Sequence, residues 1–249
     1  MFETYEGIFQ KRGHLYHQAM TRYPMARANE FRRIVQLAAL QQGQWVCDIP
    51  SGGGYLMNFI HIDVHLFSLE TSSAFARNCA HLSRNAAALL TSMDGIPLKS
   101  ESVQCVISLA GLHHVVNKPS VYREAYRLLE NGGVFCLADV WHGSAVARFL
   151  NGFVHAHSSM GHAGIFLDDR IEQDLKATGF DLSFASVLAY PWAFDTLQDM
   201  IVFCRMLFGI DRAADEDILT GIETYLGWSK TGEQYGMNWD LLFCRSVRS

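Results

Sequence analysis

The segment Asp48-Ile-Pro-Ser-Gly-Gly-Gly54 sets a carboxylate at the end of a short apolar run and three consecutive glycines at the start of the next helical stretch. Glycines in that position let a ligand approach the main chain and meet oriented N–H groups, which is the chemistry of a nucleotide cradle. The dinucleotide fingerprint G-x-G-x-x-G fails here. Started at Gly52 it needs glycine where Met57 stands, and started at position 50 it meets Pro50 and Tyr55. The Gly-Lys-Ser/Thr ending of a phosphate-binding P-loop is missing too. A second reactive group is the pair His113-His114: an imidazole is the side chain best suited to take a proton from a hydroxyl. A third is the set His142, His155, His157 and His162, close in sequence to Asp168-Asp169. That set has neither the i, i+4 histidine pair nor the Cys/His pattern of zinc sites, so no metal is expected and the segment reads as a partly polar lid.

These groups need a scaffold, and the chain supplies strands and helices in alternation. Tyr5 to Leu40 has helical spacing interrupted at Pro24. Gln44 to Pro50 reads as a strand, Tyr55 to Ile60 as helix, Val64 to Glu70 as strand, Ser72 to Ser83 as helix, and Ala86 to Met93 as strand. Strand Val103 to Leu109, helix Lys118 to Glu130, a stop and turn at Asn131-Gly132-Gly133, and strand Val134 to Asp139 follow. The rhythm breaks over 141–167, then resumes with helix Asp169 to Thr178, strand Leu182 to Ala189, a helical stretch from Thr196 to about Tyr225 and a last strand at Leu241 to Val247. Continuous apolar strands separated by helices predict an α/β fold with a parallel sheet covered on both faces.

Asp48, Gly52 and Gly54 resemble the first motif of the class I S-adenosylmethionine-dependent methyltransferases, and the resemblance extends over residues 44–140. Pro50 replaces a glycine common in that motif, at a position that usually lends its carbonyl. The resemblance implies a cofactor site built from Asp48, Pro50, Ser51, Gly52, Gly54, Glu70, Thr71, Met93, Asp94, Gly95 and Leu109. Glu70 would accept both ribose hydroxyls, Asp94 would meet the adenine amino group and Met93 would lend a main-chain contact. His113 and His114 would stand beside the methionine end as catalytic candidates, His114 preferred. Arg127-Leu-Leu-Glu-Asn-Gly-Gly133 resembles the family's turn into its fifth strand. The implied fold is Rossmann-like: a seven-stranded, mostly parallel sheet with an antiparallel last strand and helical lid additions. A single domain over 1–249 is expected, with a helical lid at 1–40, a cofactor core at 44–140 and substrate caps at 141–167 and 195–238. Methyl transfer from a sulfonium is an in-line displacement, so alignment supplies much of the catalysis.

Composition narrows the acceptor. Twenty Lys+Arg against 25 Asp+Glu leave a net charge of −5, and the basic residues are scattered, the densest groups being Lys11-Arg12 and Arg32-Arg33. That argues against nucleic acid. Hydrophobic residues make up 49% of the chain, but no apolar run is long enough to span a membrane, and no secretory signal follows Met1. The six cysteines form no C-x-x-C pair and read as reduced, buried thiols, consistent with a cytoplasmic location. The expected acceptor is a small, partly hydrophobic organic molecule, met by Tyr16, His142 and Trp192. The oligomeric state stays open, as do two rival readings: a protein of this fold that binds the cofactor without transferring methyl, and a nicotinamide-dependent oxidoreductase.

Overall fold

The computed structural model describes residues 5–79 and 85–249. Eight strands form one sheet: β1 Trp45–Asp48, β2 His65–Glu70, β3 Ala86–Leu90, β4 Val103–Leu109, β5 Leu129–Asp139, β6 Phe180–Phe194, β7 Trp228–Thr231 and β8 Gln234–Arg248. Their order is β3-β2-β1-β4-β5-β8-β6, with β7 paired to β8. The pairs among β1 to β5 are parallel, and β8 lies antiparallel between β5 and β6. Val46 and Cys47 are both fully buried although they point to opposite faces, as a strand covered on two sides requires. The chain runs outward through β2 and β3 and returns to β4, so the strand order reverses between β1 and β4. The crevice beyond their carboxyl ends is where such sheets bind ligands.

Eight strands replace the expected seven, because Trp228–Thr231 turns back and pairs with Gln234–Met237 as a hairpin. Strands β6 and β8 are also longer than expected. Their extension pairs Tyr190 with Trp239 and Trp192 with Met237, above the parallel strands. Tyr190, Trp192 and Phe194 are buried while Pro191 is exposed, the period-two pattern of a strand with one packed face. Pro191 is tolerated because β6 is an edge strand. The glycines Gly132-Gly133 do not form a separate turn. They lie within β5, where the register on β4 slips between Leu129 and Val134 and Gly132 takes φ 78° to carry the bulge.

Helices α1 Tyr5–Arg22 and α2 Ala28–Ala38 form the preface, and α3 Ser73–Cys79 and α4 Lys118–Leu128 flank the sheet. The expected helix Ser72 to Ser83 lies partly outside the described residues. Tyr55–Phe59 is a 3-10 turn rather than an α-helix. Segment 145–157 is helical, with a π-helical centre at Phe149–Val154, and the helices Leu197–Phe208 and Asp215–Tyr225 complete the additions. The core is split between the two faces of the sheet: Tyr5 and Phe9 belong to one part, Ala19 and Met20 to the other. Helix α1 therefore runs from one face to the other. No described helix is long and apolar enough to cross a membrane, and all six cysteines are buried without disulfides.

At the crevice, Pro50 after β1 packs on Gly111 after β4. A Cβ at Gly111 would stand 2.4 Å from Pro50 Cγ. The substitution Gly111→Ala is expected to lower unfolding free energy by about 1–3 kcal/mol, as overpacking does. Urea unfolding checks this, and an unchanged midpoint would contradict the contact.

Candidate functional site

Three glycines shape the loop after β1. Gly52, Gly53 and Gly54 have φ of 61°, 102° and 81°, a region that side chains with a Cβ disfavour. Main-chain N–H of Gly52 donates to Glu70 Oε1, which also accepts from Ser51 Oγ at 3.2 Å and from Tyr5 OH at 3.3 Å. Glu70 is fully buried at the end of β2, and its other oxygen has no partner. Asp48 Oδ2 and Thr71 Oγ1 are likewise buried without partners. Burial pushes the Glu70 carboxyl up to about 7 against the pull of its N–H and hydroxyl donors. Burial, and then Glu70, raise Asp48.

Next to this knot opens a cleft of about 340 Å³, lined by Tyr5, Thr71, Met93, Asp94 and His114 among others. Partnerless polar atoms on Asp48, Glu70 and Thr71, a glycine cradle, and a cleft edged by Asp94 fit an adenosine: hydroxyls for the carboxylate, an amino group for Asp94, and close main-chain approach. Of the remaining residues expected there, Ser51 is held by Glu70 and Cys79, and Pro50 packs on Gly111. Leu109 ends β4, and Gly95 accepts at its carbonyl from Thr91 Oγ1 at 3.1 Å. Of the residues expected there, Thr71, Met93 and Asp94 line the cleft, whereas Asp48, Pro50, Ser51, Gly52, Gly54, Glu70, Gly95 and Leu109 do not.

A second cavity of about 60 Å³ lies between α1 and the additions. His113, His114 and His162 line its polar end. Trp192, Trp239, Phe208 and Phe9 line the rest, with Tyr16, Arg12 and Arg27 among them. His114 lines both the cleft and the cavity. The 3-10 turn Leu112–His114 presents the histidine pair, and Asp139 at the end of β5 anchors it: Oδ1 stands 2.6 Å from His113 Nδ1 and Oδ2 accepts His113 N–H at 3.1 Å. Although burial opposes it, His113 and the Val140 N–H hold Asp139 below the usual carboxylate range. Burial, and then the His113 and His162 rings, hold His114 well below the usual imidazole range, so it is neutral at pH 7.

Tyr16 and Trp192, both expected at the acceptor, do meet in this cavity. Arg27 ties them together: Nη1 donates to Tyr16 OH at 2.5 Å, and its ion pair with Glu30 leaves Glu30 Oε2 to accept Trp192 N–H at 2.9 Å. His142 is not brought there. Trp141 bridges to Leu167 and His142 N–H donates to the Leu167 carbonyl, which turns the His142 ring outward, half exposed and 3.9 Å from Asp169. His155 and His157 also stay outside: each bonds a neighbouring carbonyl, that of His162 and that of Phe153.

Sequence reasoning missed Arg12 and did not separate His162 from its neighbours. Arg12 is 8% exposed and donates to the carbonyls of Phe208 at 2.6 Å and Leu207 at 2.7 Å, capping the helix Leu197–Phe208. Burial lowers its guanidinium to about 10. Its signal was present, since Tyr5, Phe9, Arg12 and Tyr16 recur at helical spacing, which sets a cation on an apolar stripe.

Residues 47–137 match the family model described as methyltransferase domain. No curated protein sequence matches the chain. Among solved structures, an S-adenosylmethionine-dependent methyltransferase from Thermotoga maritima superimposes with TM-score 0.64 at 16% identity, covering 98% of this chain and 100% of that one. The 4+2 cyclase SpnF gives 0.65 at 13% identity, with 98% and 96% covered. A geranyl diphosphate methyltransferase in complex with GPP and sinefungin gives 0.58 at 12% identity, with 89% and 77% covered. These similarities are of fold.

The Glu70 carboxyl makes stability depend on pH. A carboxyl raised from 4.5 to about 7 in the fold stabilises fully below 4.5, and that contribution is lost as pH rises through 7. The neutral variant Glu70→Gln escapes the loss. Its unfolding free energy relative to wild type should increase by about 2–3 kcal/mol between pH 5 and pH 8, measured by urea titration. A difference independent of pH would show that Glu70 titrates normally.

Proposed function

We propose, for a chain whose residues 47–137 match the methyltransferase-domain model, that it transfers a methyl group from S-adenosylmethionine to a small, partly hydrophobic organic acceptor held in the inner cavity. The observation that carries this reading is His114, which walls both the cleft fitted to adenosine and the aromatic cavity. A group bound along the cleft and one bound in the cavity would meet at that side chain.

When bound, the cofactor supplies an electrophilic methyl on a sulfonium. The chain's own residues do the rest. Glu70 would take the ribose hydroxyls on its free oxygen, Asp94 the adenine amino group, and the Gly52–Gly54 main chain the body of the ligand. Asp48 would complete its hydrogen bonding on the same side. Trp192, Trp239 and Phe208 would grip the apolar part of the acceptor, and Tyr16, pinned by Arg27, would fix its orientation. His113 and His114 surround the reacting atom. Alignment in a dry cavity needs no covalent intermediate on the protein. A cavity of this size walled largely by aromatic rings suits a small organic molecule rather than a peptide or nucleic acid, and the negative net charge agrees.

The test is incubation with methyl-labelled S-adenosylmethionine and a panel of small hydroxyl, carboxyl and amine compounds with apolar bodies. Label is expected in a small organic product. In Trp192→Ala the acceptor KM should rise about tenfold or more, a loss of about 1.4 kcal/mol. Cofactor affinity should stay within about threefold, because Trp192 lines the cavity and not the cleft. Tight cofactor binding with no label transferred to any compound would favour the second reading, a fold that holds the cofactor without methyl transfer.

A further inference from the structure

The imidazoles of His113, His114 and His162 converge on the inner cavity, with one ring nitrogen of each within 4.8 Å of the other two. All three side chains are buried, at 7%, 7% and 8% exposure. They come from separate parts of the chain, the turn after β4 and the loop that follows segment 145–157. Two of the three rings are held by dedicated partners. His113 Nδ1 faces Asp139 Oδ1 at 2.6 Å, and His162 Nδ1 faces Asn151 Oδ1 at 2.8 Å. Asn151 is itself fixed, accepting Gly164 N–H at 2.8 Å and donating to the Gly164 carbonyl at 2.9 Å. Both partner oxygens are acceptors, so in the neutral ring Nδ1 carries the proton and Nε2 keeps its lone pair. A carboxylate or amide oxygen behind one nitrogen, with the other left free, is how metal-binding histidines are oriented.

We propose that His113, His114 and His162 bind one divalent transition-metal ion of the zinc type, with its remaining position open to the inner cavity. Neutral imidazoles favour zinc, nickel, copper or iron over magnesium and calcium, and three protein nitrogens with an open position are the pattern of a catalytic zinc. A tetrahedral ion about 2.1 Å from each nitrogen separates them by about 3.4 Å, so binding draws the rings together. Arg12 lines the same cavity, and among the described residues no carboxylate pairs with it. The combined positive charge selects an anionic oxygen for the open position. On the methyltransferase reading, on which this last step rests, that oxygen belongs to an acceptor that arrives ionised, such as a carboxylate, so no proton has to be placed: its oxygen–methyl bond forms as the sulfonium sulfur–methyl bond breaks, and the neutral thioether leaves with the electron pair.

The test uses zinc and cobalt ions on the purified chain after treatment with a chelator. Calorimetry should show one zinc bound per chain with a Kd of micromolar or below, and cobalt should give the intense visible bands of tetrahedral nitrogen coordination. His113→Ala and His162→Ala should weaken zinc about a hundredfold or more. Asn151→Ala, which keeps all three imidazoles, should weaken it about tenfold, whereas His61→Ala, on the surface, should not. Absence of stoichiometric binding by a chain folded by circular dichroism would overturn the proposal. So would an unchanged affinity in folded His162→Ala or, where that variant unfolds, in Asn151→Ala. S-adenosylhomocysteine titrated into the same preparations reports on the cofactor site separately, so failure of either reading shows on its own.

Discussion

One buried carboxylate organises the cofactor end of this molecule. Glu70, without solvent access, gathers the Gly52 N–H, the Ser51 hydroxyl and the Tyr5 hydroxyl onto a single oxygen. Three segments distant in sequence, α1, the glycine loop and β2, are thereby tied at one atom. A carboxylate removed from water costs several kcal/mol unless hydrogen bonds replace its hydration, and three donors on one side leave the other side incomplete. On the proposed function, the partnerless oxygens on Glu70, Asp48 and the Thr71 hydroxyl would receive polar atoms of the ligand.

The acceptor end is assembled around arginines rather than a carboxylate. Arg27 is neutralised by Glu30 and holds both Tyr16 and, through Glu30, Trp192. Arg12 binds the carbonyl end of the helix Leu197–Phe208 and so anchors α1 to the cap. Tyr5 and Arg12 both lie on α1, so the seal over Glu70 and one wall of the inner cavity share that helix, while Arg27 stands just before α2. The cavity of about 60 Å³ is smaller than the roughly 300–1,000 Å³ of ordinary ligand pockets. On the proposed function, a larger acceptor would be admitted by a shift of α1 or the cap, which would break the contacts of Tyr5 and Arg12.

Much of the arrangement around Glu70 was legible in the sequence because it is local. Asp48, the glycines and Glu70 sit at the ends of apolar runs, where a parallel sheet gathers its strand termini, and the order of those runs set the sheet. The acceptor end was less legible because it depends on packing between distant elements. Nothing near Tyr190 announces that β6 continues through Pro191 to Phe194, since that extension is stabilised by pairing with Tyr235–Trp239 far along the chain. His162 could not be told from His142, His155 and His157 by spacing; only Asn151 and the turn at Gly164 bring it inward, while the Trp141 to Leu167 bridge turns His142 out. Arg12 was readable only as a cation on a buried helical stripe.

The most direct measurement is calorimetric titration of S-adenosylhomocysteine into the wild-type chain and into Glu70→Ala at pH 8, where the Glu70 carboxyl is ionised. Micromolar binding to the wild type, about −8 kcal/mol, falling at least tenfold in the variant, is the outcome predicted by a ribose held on the free oxygen of Glu70. No binding by folded wild-type protein, or equal affinity in the two proteins, would contradict it.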